Sequence, residues 1–326
     1  MTLGPDDLAY VRRIVAERSA IQLEEGKEYL IESRLETLAR LENQADATVI
    51  VEQMRRSPSG PMTQKVVEAM TTNETSFFRD RLPFDALRDS VLPALVAARS
   101  ATRRLNIWCG AASTGQEPYS IAMLIREHFP ELAAWNVSIL ATDLSTEVLE
   151  KARSGRYSQL EVGRGLPAPM LVRHFEQDGA RWKVRPAVRE MVEFRELNLI
   201  GTWAAMPRPD IVFLRNVMIY FDVQNKQRIL AKIAANIASD GYLFLGAGET
   251  TLNLDTTFRR IEIDRAGVFQ VSRGAPDLRP VEAAAAIGTA AAAPRVDWPA
   301  LGSTPTRPLP TAGVTGTIRP VPRGVT

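Results

Sequence analysis

The 326-residue sequence predicts an α/β fold with a mostly parallel sheet, preceded by a helical region. One observation supports the α/β class, and two others describe the regions before and after it. Helix and strand patterns alternate along residues 81–273, which is typical of parallel strands connected by helices that cover both faces of the sheet. Residues 1–80 show apolar residues at helical spacing without strand signals. Residues 274–326 are rich in Ala, Pro, Thr and Gly, and we expect this tail to be disordered because it has few large apolar side chains to bury.

The elements follow from the spacing of apolar residues. In the helical domain, 1–80, the apolar positions are Leu8, Val11, Ile14 and Val15, then Leu30, Leu35, Leu38 and Leu41, then Val66, Val67 and Met70. In the α/β domain, 81–273, we predict helix 83–98, strand 104–109, helix 117–128, strand 136–141, helix 145–153, strands 191–196 and 210–215, helix 223–238, and strands 241–246 and 266–272.

About forty residues separate helix 145–153 from strand 191–196, which is more than a simple crossover needs. Within this stretch, Asp178-Gly179 lies between two short apolar and aromatic segments and predicts a β-hairpin. Residues 151–189 also carry nine Lys and Arg against three Asp and Glu. Two interpretations remain open: a solvated surface hairpin, or a docking module for an acidic partner.

Composition excludes several classes of protein. The formal net charge of +2 is too small to indicate nucleic-acid binding by itself, and the single cysteine, Cys109, excludes a disulfide framework and fits a reducing cytosol. Two histidines, His128 and His174, leave little material for a zinc site or a Ser-His-Asp triad. We see no apolar run of membrane-spanning length and no signal peptide, so we expect a cytoplasmic protein without direct membrane insertion.

Residues 110–117 form the most informative motif. A predicted buried strand ends in small residues from Gly110 to Gly115 and continues into a helix, so unpaired N–H groups face any ligand bound there. The turn lacks the phosphate-cradling pattern, because Gln116 occupies the lysine position, and it lacks the dinucleotide pattern, because position 112 is Ala. The acid Glu117 suits a ligand with hydroxyls or a positive charge, and S-adenosylmethionine fits that description.

Asp143 ends the second predicted strand of the α/β domain. A carboxylate at this position is placed to accept hydrogen bonds from ribose hydroxyls. The alternative is a capping role at the start of the next helix, which Asp143 or Ser145 would fill. Together with the turn at 110–117, Asp143 favours an adenosine ligand.

Two further segments carry polar residues to predicted ligand-binding edges. Residues 71–79 join the helical domain to the α/β domain, where a cleft between the domains would lie, and Phe77 and Phe78 within this segment are expected in the core. Residues 215–221 follow the apolar strand 210–214 and begin with Arg-Asn, so they bring polar groups to the carboxyl edge of the sheet.

The chain resembles the CheR family, the S-adenosylmethionine-dependent chemoreceptor glutamate methyltransferases. The resemblance covers roughly residues 5–273 and rests on five segments in family order: Thr72–Arg79, Ala112–Ser120, Ala141–Asp143, Leu197–Leu199 and Arg215–Phe221. It implies an all-helical N-terminal domain, a Rossmann-like S-adenosylmethionine methyltransferase domain and a small antiparallel β-subdomain inserted at about 156–190. It also implies that the cytoplasmic helices of methyl-accepting chemotaxis proteins are the substrates.

The resemblance assigns functional residues by matching position. The implied cofactor-binding residues are Asn73, Thr75, Arg79, Glu117, Asp143, Asn198, Leu199, Arg215 and Asn216. Arg79 and Tyr220 are the implied catalytic residues. Because an unperturbed glutamate has a pKa of about 4.3, the substrate carboxylate is already a nucleophile at neutral pH and needs no general base. We expect Arg79 and Tyr220 to orient that carboxylate.

Each of these residues also has a structural interpretation. Asn73 and Thr75 would cap a helix, and Arg79 would be a surface charge. Asn198 would be an ordinary turn residue after a strand, and Tyr220 would be a core aromatic with its hydroxyl at the surface.

The partner predictions rest on the hairpin and on two rival functions. Some family members grip a receptor's C-terminal peptide with a longer hairpin loop, so the tight turn at 177–180 predicts independence from that tethering peptide. The rivals are a sensor without catalysis and a nucleic-acid methyltransferase. Asn216 is followed by Val-Met-Ile rather than by an amino-methylating motif, so we expect no nucleic-acid partner. Gln116 stands where many family members have Glu, so Glu117 is the only acid in the turn. Separately, we expect the protein to be a monomer.

Overall fold

Parallel strands at the centre of the α/β part organise the molecule. The computed structural model describes residues 3–263 and 266–272, so the predicted tail 274–326 lies outside the described residues. The described strands are β1 (Arg104–Gly110), β2 (Asn136–Asp143), β3 (Arg156–Ser158), β4 (Phe175–Asp178), β5 (Arg181–Val184), β6 (Val192–Glu196), β7 (Ile211–Leu214), β8 (Tyr242–Leu245), β9 (Phe258–Ile263) and β10 (Ala266–Val271).

Seven of these strands form the main sheet, in the order β6-β2-β1-β7-β8-β10-β9. The first five strands are parallel, and β10 pairs antiparallel with both β8 and β9. The chain order reverses between β1 and β7, which is where open α/β sheets bind ligands beyond the carboxyl ends of their strands. This arrangement confirms the predicted Rossmann-like fold class and sets the position of the site.

The central strands are buried on both faces. All four residues of β7 are fully buried, and Phe213 stacks on Phe244 of β8 with ring centroids 4.4 Å apart. Continuous apolar runs such as Ile211–Leu214 are typical of parallel strands covered by helices on both sides. The sequence therefore predicted these strands from local composition.

Helices cover the sheet and form the N-terminal region. They are α1 (Pro5–Ser19), α2 (Glu28–Leu41), α3 (Ala47–Arg56), α4 (Pro61–Ala69), α5 (Leu82–Ala86), α6 (Leu92–Arg99), α7 (Gln116–His128), α8 (Thr146–Ser154), α9 (Gln159–Gly163), α10 (Ala168–His174), α11 (Pro186–Arg189) and α12 (Val223–Asn236). Among the described residues, no helix combines the length and the apolar character needed to cross a membrane.

The helices α1 to α4 pack around their own apolar core, as the spacing of Val11, Leu35 and Val66 predicted. Two of the apolar residues at helical spacing on α2 lie outside this core. Leu30 is 39% exposed and Leu41 is 72% exposed, because α2 buries only the stripe centred on Ile31, Leu35 and Leu38.

The long insertion folds as a second, three-stranded antiparallel sheet in the order β3-β5-β4. Asp178 pairs with Arg181, so the hairpin turn contains only Gly179 and Ala180, with Gly179 at a φ of 61°. The predicted tight hairpin is therefore present, with its turn one residue later than the predicted 177–180. The insertion packs on the main body through Phe77, whose ring meets those of Tyr157 and Phe175 edge-to-face at 5.1 and 5.6 Å.

Several elements depart from the sequence prediction. Strand β9 was missed because Arg260 and Glu262 make one of its faces charged at the sheet edge, while Arg259 is exposed on the other face, and β3 is only three residues long. Predicted helix 83–98 is continuous but contains a π-helical segment at Leu87–Val91. The predicted boundaries of the helical and α/β domains remain predictions.

Candidate functional site

A cleft at the carboxyl edge of the main sheet brings together the predicted site residues. It encloses about 870 Å³, including the part that is open to solvent. Its lining includes every residue that the sequence singled out for the cofactor and the chemistry: Asn73, Thr75, Arg79, Glu117, Asp143, Asn198, Leu199, Arg215, Asn216 and Tyr220. The structure thus brings these residues together, while their individual roles remain proposals.

The turn after β1 forms one wall of the cleft. Its backbone is tightly wound, with Ala111 at a φ of 56°, Ser113 at 50° and Gly115 at 91°. Only the glycine adopts that conformation without strain, and a Cβ on Gly115 would lie 2.9 Å from the Cβ of Ala152. The helix α7 begins at Gln116, so its free N–H groups lie beside the cleft.

Asp143 is buried at the end of β2 and joins two loops. Its Oδ2 accepts a hydrogen bond from Ser113 N at 2.8 Å, and its Oδ1 accepts one from Ser145 N at 3.0 Å. Burial raises the pKa of this carboxyl, and these backbone N–H groups oppose the rise. The Ser145 hydroxyl caps α8, so the helix-capping alternative belongs to Ser145. Each Asp143 oxygen keeps an acceptor position for a ligand hydroxyl.

Arg215 is the most buried charge of the cleft, with a side chain that is 1% exposed. Its Nη1 donates to Glu117 Oε2 at 2.7 Å, and its Nη2 donates to Asp80 Oδ2 at 2.7 Å and to Arg79 O at 3.0 Å. Burial raises the pKa of Glu117, while Arg215 opposes the rise. The sequence suggested Glu117 as an acid that would face a ligand with hydroxyls or a positive charge. In the structure, one of its oxygens is already paired with Arg215.

One atom of this cluster has no partner. The buried Nε of Arg215 makes no hydrogen bond to any described residue. A buried donor without an acceptor is costly, so this atom fits a ligand that brings its own acceptor, such as a carboxylate.

The segment at 71–79 crosses the cleft without regular secondary structure. The helix-capping interpretation of Asn73 and Thr75 is wrong, because no helix begins near them and the next one, α5, starts at Leu82. The carbonyl of Asn73 accepts from the Ser113 hydroxyl at 2.8 Å, and Arg79 Nη1 donates to Glu74 O at 2.7 Å. Arg79 is half-buried rather than a free surface charge.

Phe77 and Phe78 of the same segment are buried, with 0% and 7% exposure. The prediction that this aromatic pair belongs to the core is therefore confirmed.

The helical region closes the opposite side of the cleft. Asn198 Nδ2 donates to Arg18 O at 2.6 Å and its Oδ1 accepts from Ile200 N at 3.1 Å, so its amide already serves as a turn residue and a bridge to α1. The carbonyl of Tyr220 accepts from Gln22 N at 2.9 Å. The half-buried Tyr220 ring packs against the core while lining the cleft, so both interpretations of this residue hold in part.

Three carboxylates near the cleft were not predicted from the sequence. Glu249 accepts hydrogen bonds from backbone N–H groups of the loop that follows β7. Like Asp143, it follows a predicted strand, and the same rule would have found it. Asp80 adjoins the segment at 71–79. Glu68 on α4 accepts from Ser145 Oγ and Thr146 N, both at 3.1 Å, and no local signal marks it.

The basic insertion offers less free charge than the sequence count suggests. Four of its nine cations pair with carboxylates, in the pairs Lys151–Glu161, Arg156–Asp178, Arg164–Glu74 and Arg173–Glu127. Arg153 donates to a backbone carbonyl. Among the described residues, the cations of the insertion that form no ion pair are Arg153, Arg181, Lys183, Arg185 and Arg189.

No group of three or more His, Cys, Asp or Glu side chains that could hold a metal ion occurs in residues 3–263 and 266–272. His174 contacts Glu127, with 2.6 Å between its Nε2 and Oε1, in the insertion rather than in the cleft.

Comparison with known proteins agrees with this geometry. The family described as "CheR methyltransferase, SAM binding domain" matches residues 73–266. The chain is similar to chemotaxis protein methyltransferase Cher2 of Pseudomonas putida, with 38% identity over 275 residues, covering 83% of this chain and 99% of that protein. It is also similar to chemotaxis protein methyltransferase 1 of Pseudomonas aeruginosa, with 40% identity and the same coverage, and to that of Vibrio cholerae, with 36% identity over 83% and 98% of the two chains.

Proposed function

Because the chain belongs to the family of CheR methyltransferases, we propose that it methylates glutamate side chains of methyl-accepting chemotaxis receptors. Its cofactor is S-adenosylmethionine. The observation that carries the proposal is that Arg79 and Tyr220 line the same cleft as the adenosine-type residue Asp143. A cation and a hydroxyl beside a cofactor site are the groups that would orient a carboxylate substrate.

The residues present fit this cofactor. Asp143 retains acceptor positions for ribose hydroxyls, and the unpartnered Arg215 Nε suits a carboxylate. The buried Leu199 offers an apolar surface beside these polar groups, as small-molecule sites commonly do. When bound, S-adenosylmethionine supplies an electrophilic methyl group on a cationic sulfur.

The protein's own contribution is to position the substrate carboxylate. The glutamate is ionised at neutral pH, so it needs no base to become a nucleophile. Arg79 is directed by its hydrogen bond to Glu74 O and keeps further N–H donors for the substrate. Tyr220 would donate its hydroxyl to the carboxylate, and the hydrogen bond from Gln22 N to Tyr220 O fixes the backbone that carries it.

The test is methyl transfer from labelled S-adenosylmethionine to a receptor signalling domain. We expect Arg79→Ala and Tyr220→Phe to lower the rate, with Tyr220→Phe leaving cofactor affinity nearly unchanged. The matched control is Tyr242→Phe, which removes a hydroxyl at the amino end of β8, away from the cleft.

The chemical form of the product tests the substrate. We expect a methyl ester that releases methanol at high pH. Incorporated label that resists alkali would point to methylation of nitrogen or carbon and would overturn the glutamate assignment.

We also propose that the enzyme recognises receptor helices directly, as a monomer and without a tethering peptide. The two-residue turn at Gly179 and Ala180 supports this proposal because it offers little loop to grip a peptide. The unpaired cations Arg181, Lys183 and Arg185 on the insertion would speed encounter with acidic helices, and salt would weaken this effect.

Two comparisons test this recognition. Methylation should proceed at a similar rate on receptors with and without their final residues, and it should slow as salt increases. A large loss of rate on removing the receptor tail would refute independence from tethering, and a rate that ignores salt would remove the electrostatic argument.

A further inference from the structure

The loop that follows β7 presents an unusual set of backbone donors. Asn216 adopts a φ of 59°, in the left-handed region that costs a non-glycine residue free energy. The next residues lead into a short 3₁₀ turn at Met218–Tyr220, which carries Tyr220 to the cleft. The N–H groups of Asn216, Val217 and Met218 therefore lack the partners that a regular helix or strand would supply.

A single carboxylate satisfies all three donors. Glu249 Oε2 accepts from Asn216 N at 2.8 Å, and its Oε1 accepts from Val217 N at 2.9 Å and from Met218 N at 2.7 Å. Gly246 N donates to the same Oε2 at 2.7 Å. Four backbone N–H groups thus converge on one carboxylate and form a nest around it.

The nest requires both the carboxylate and the neighbouring glycine. An amide in place of the carboxylate would turn an NH₂ group toward N–H donors, so one side of the nest would lose its acceptor. A Cβ on Gly246 would lie 2.7 Å from Glu249 Oε2 and 2.9 Å from Asn216 N. Within the segment Gly246-Ala247-Gly248-Glu249, Gly246 and Glu249 thus hold the loop that follows β7 (the β7 loop), and we call their contacts with it the clamp.

We propose that Glu249 is a positioning residue for methyl transfer, which acts by holding the loop that carries Asn216 and Tyr220. Glu249 itself does not line the cleft, so its effect on the reaction passes through those residues. This inference rests on the proposed function. Loss of the clamp frees the strained Asn216 backbone to relax, and Tyr220 then loses its fixed position beside the substrate carboxylate.

A double-mutant cycle tests this role in methyl transfer. We expect Glu249→Gln to lower kcat at least tenfold with less than a threefold change in receptor KM, at equal folded protein. In that background, Tyr220→Phe should lower kcat less than twofold further, because the hydroxyl is no longer held in place. The matched control is Asp255→Asn. Asp255 lies between β8 and β9, as Glu249 does, and its carboxylate accepts a hydrogen bond from Thr257 N, so this change should leave kcat unchanged.

Amide hydrogen exchange of the free protein gives a readout that needs no activity. We expect the amides of Asn216, Val217 and Met218 to exchange at least tenfold faster in Glu249→Gln than in the native chain, with amides of β1 unaffected. Gly246→Ala is a second variant that should give the same pattern if Glu249→Gln does not fold.

The outcomes separate the two proposals. A native enzyme that forms no glutamate ester would refute the proposed function. Amide hydrogen exchange would still show whether Glu249 protects the amides of Asn216, Val217 and Met218. Unchanged exchange of the three amides would overturn the clamp itself. Equal losses from Tyr220→Phe in both backgrounds, or a full kcat in Glu249→Gln, would overturn its positioning role.

Discussion

The turn after β1 and the loop after β7 end neighbouring parallel strands, yet they are held in different ways. The β1 turn depends on the left-handed conformation of Gly115, whose N donates to Ala112 O at 3.0 Å, and it also receives support from Asp143, which accepts from Ser113 N. The β7 loop is held by side chains from distant segments. Glu249 lies 33 residues from Asn216, and Glu117 lies 98 residues from Arg215.

This difference explains why the sequence showed the conformation of the β1 turn, but for the β7 loop showed only its polar residues and not the groups that hold them. Small residues with a glycine at the left-handed position are a local requirement, so the β1 turn appears as a pattern. The β7 loop depends on which carboxylates the fold brings to it. Changes to the β7 loop should therefore cost more, and should be rescued by changes far away in the sequence.

The largest expected effect is that of Arg215→Met. The substitution leaves Glu117 buried without its cation, so the free energy of unfolding should fall by about 3–5 kcal/mol. Cofactor binding should be lost as well. Chemical denaturation measures the first effect, and calorimetry with S-adenosylhomocysteine measures the second.

Two companion variants sharpen this result. Arg195→Met breaks an exposed pair with Glu193 and should change stability little. Adding Glu117→Gln to Arg215→Met should recover much of the lost stability without restoring cofactor binding. A double variant no more stable than Arg215→Met would show that the distant charge pair is not what holds the β7 loop.

A smaller effect is expected from Gly115→Ala in the β1 turn. The left-handed backbone costs an alanine about 1–2 kcal/mol, and contact with Ala152 at 2.9 Å adds overpacking of about 1–3 kcal/mol. Gly179→Ala is the matched control, since Gly179 also has a positive φ but has no atom within 4 Å of the added Cβ. Equal losses of thermal stability in the two variants would contradict the close approach at Gly115.

The smallest expected effect is on affinity, from Asp143→Ala. Loss of the ribose acceptor should weaken cofactor binding by about 1–3 kcal/mol, or roughly fivefold to 150-fold. Asp46→Ala serves as control because Asp46 also accepts two backbone N–H groups, at the start of α3 and away from the cleft. It should lower stability and leave the calorimetric affinity unchanged, and an equal loss of affinity would refute a direct role for Asp143.

Other regions show the same division between local and distant causes. The Asp178-Gly179 hairpin was predicted from two residues because a two-residue turn has strict backbone requirements. Leu30 and Leu41 share the helical spacing of the buried residues but are exposed, because helical spacing does not say how wide a stripe the neighbouring helices cover. Strand β9 was missed because one of its faces is charged at the sheet edge.

By itself, the sequence determined the parallel sheet, the turn after β1 and the tight hairpin, which depend on periodicity and on the conformational freedom of glycine. It also indicated Asp143, Arg215 and Asn216 as polar groups at the ends of strands. Glu117 was indicated by the turn that contains it, and the other site residues were implied by the resemblance to the CheR family. Only the tertiary structure decided how the charges in the cleft are paired. Arg215 neutralises Glu117, and Glu249 holds the β7 loop, because the fold brings chain-distant carboxylates to buried donors that cannot remain unpaired.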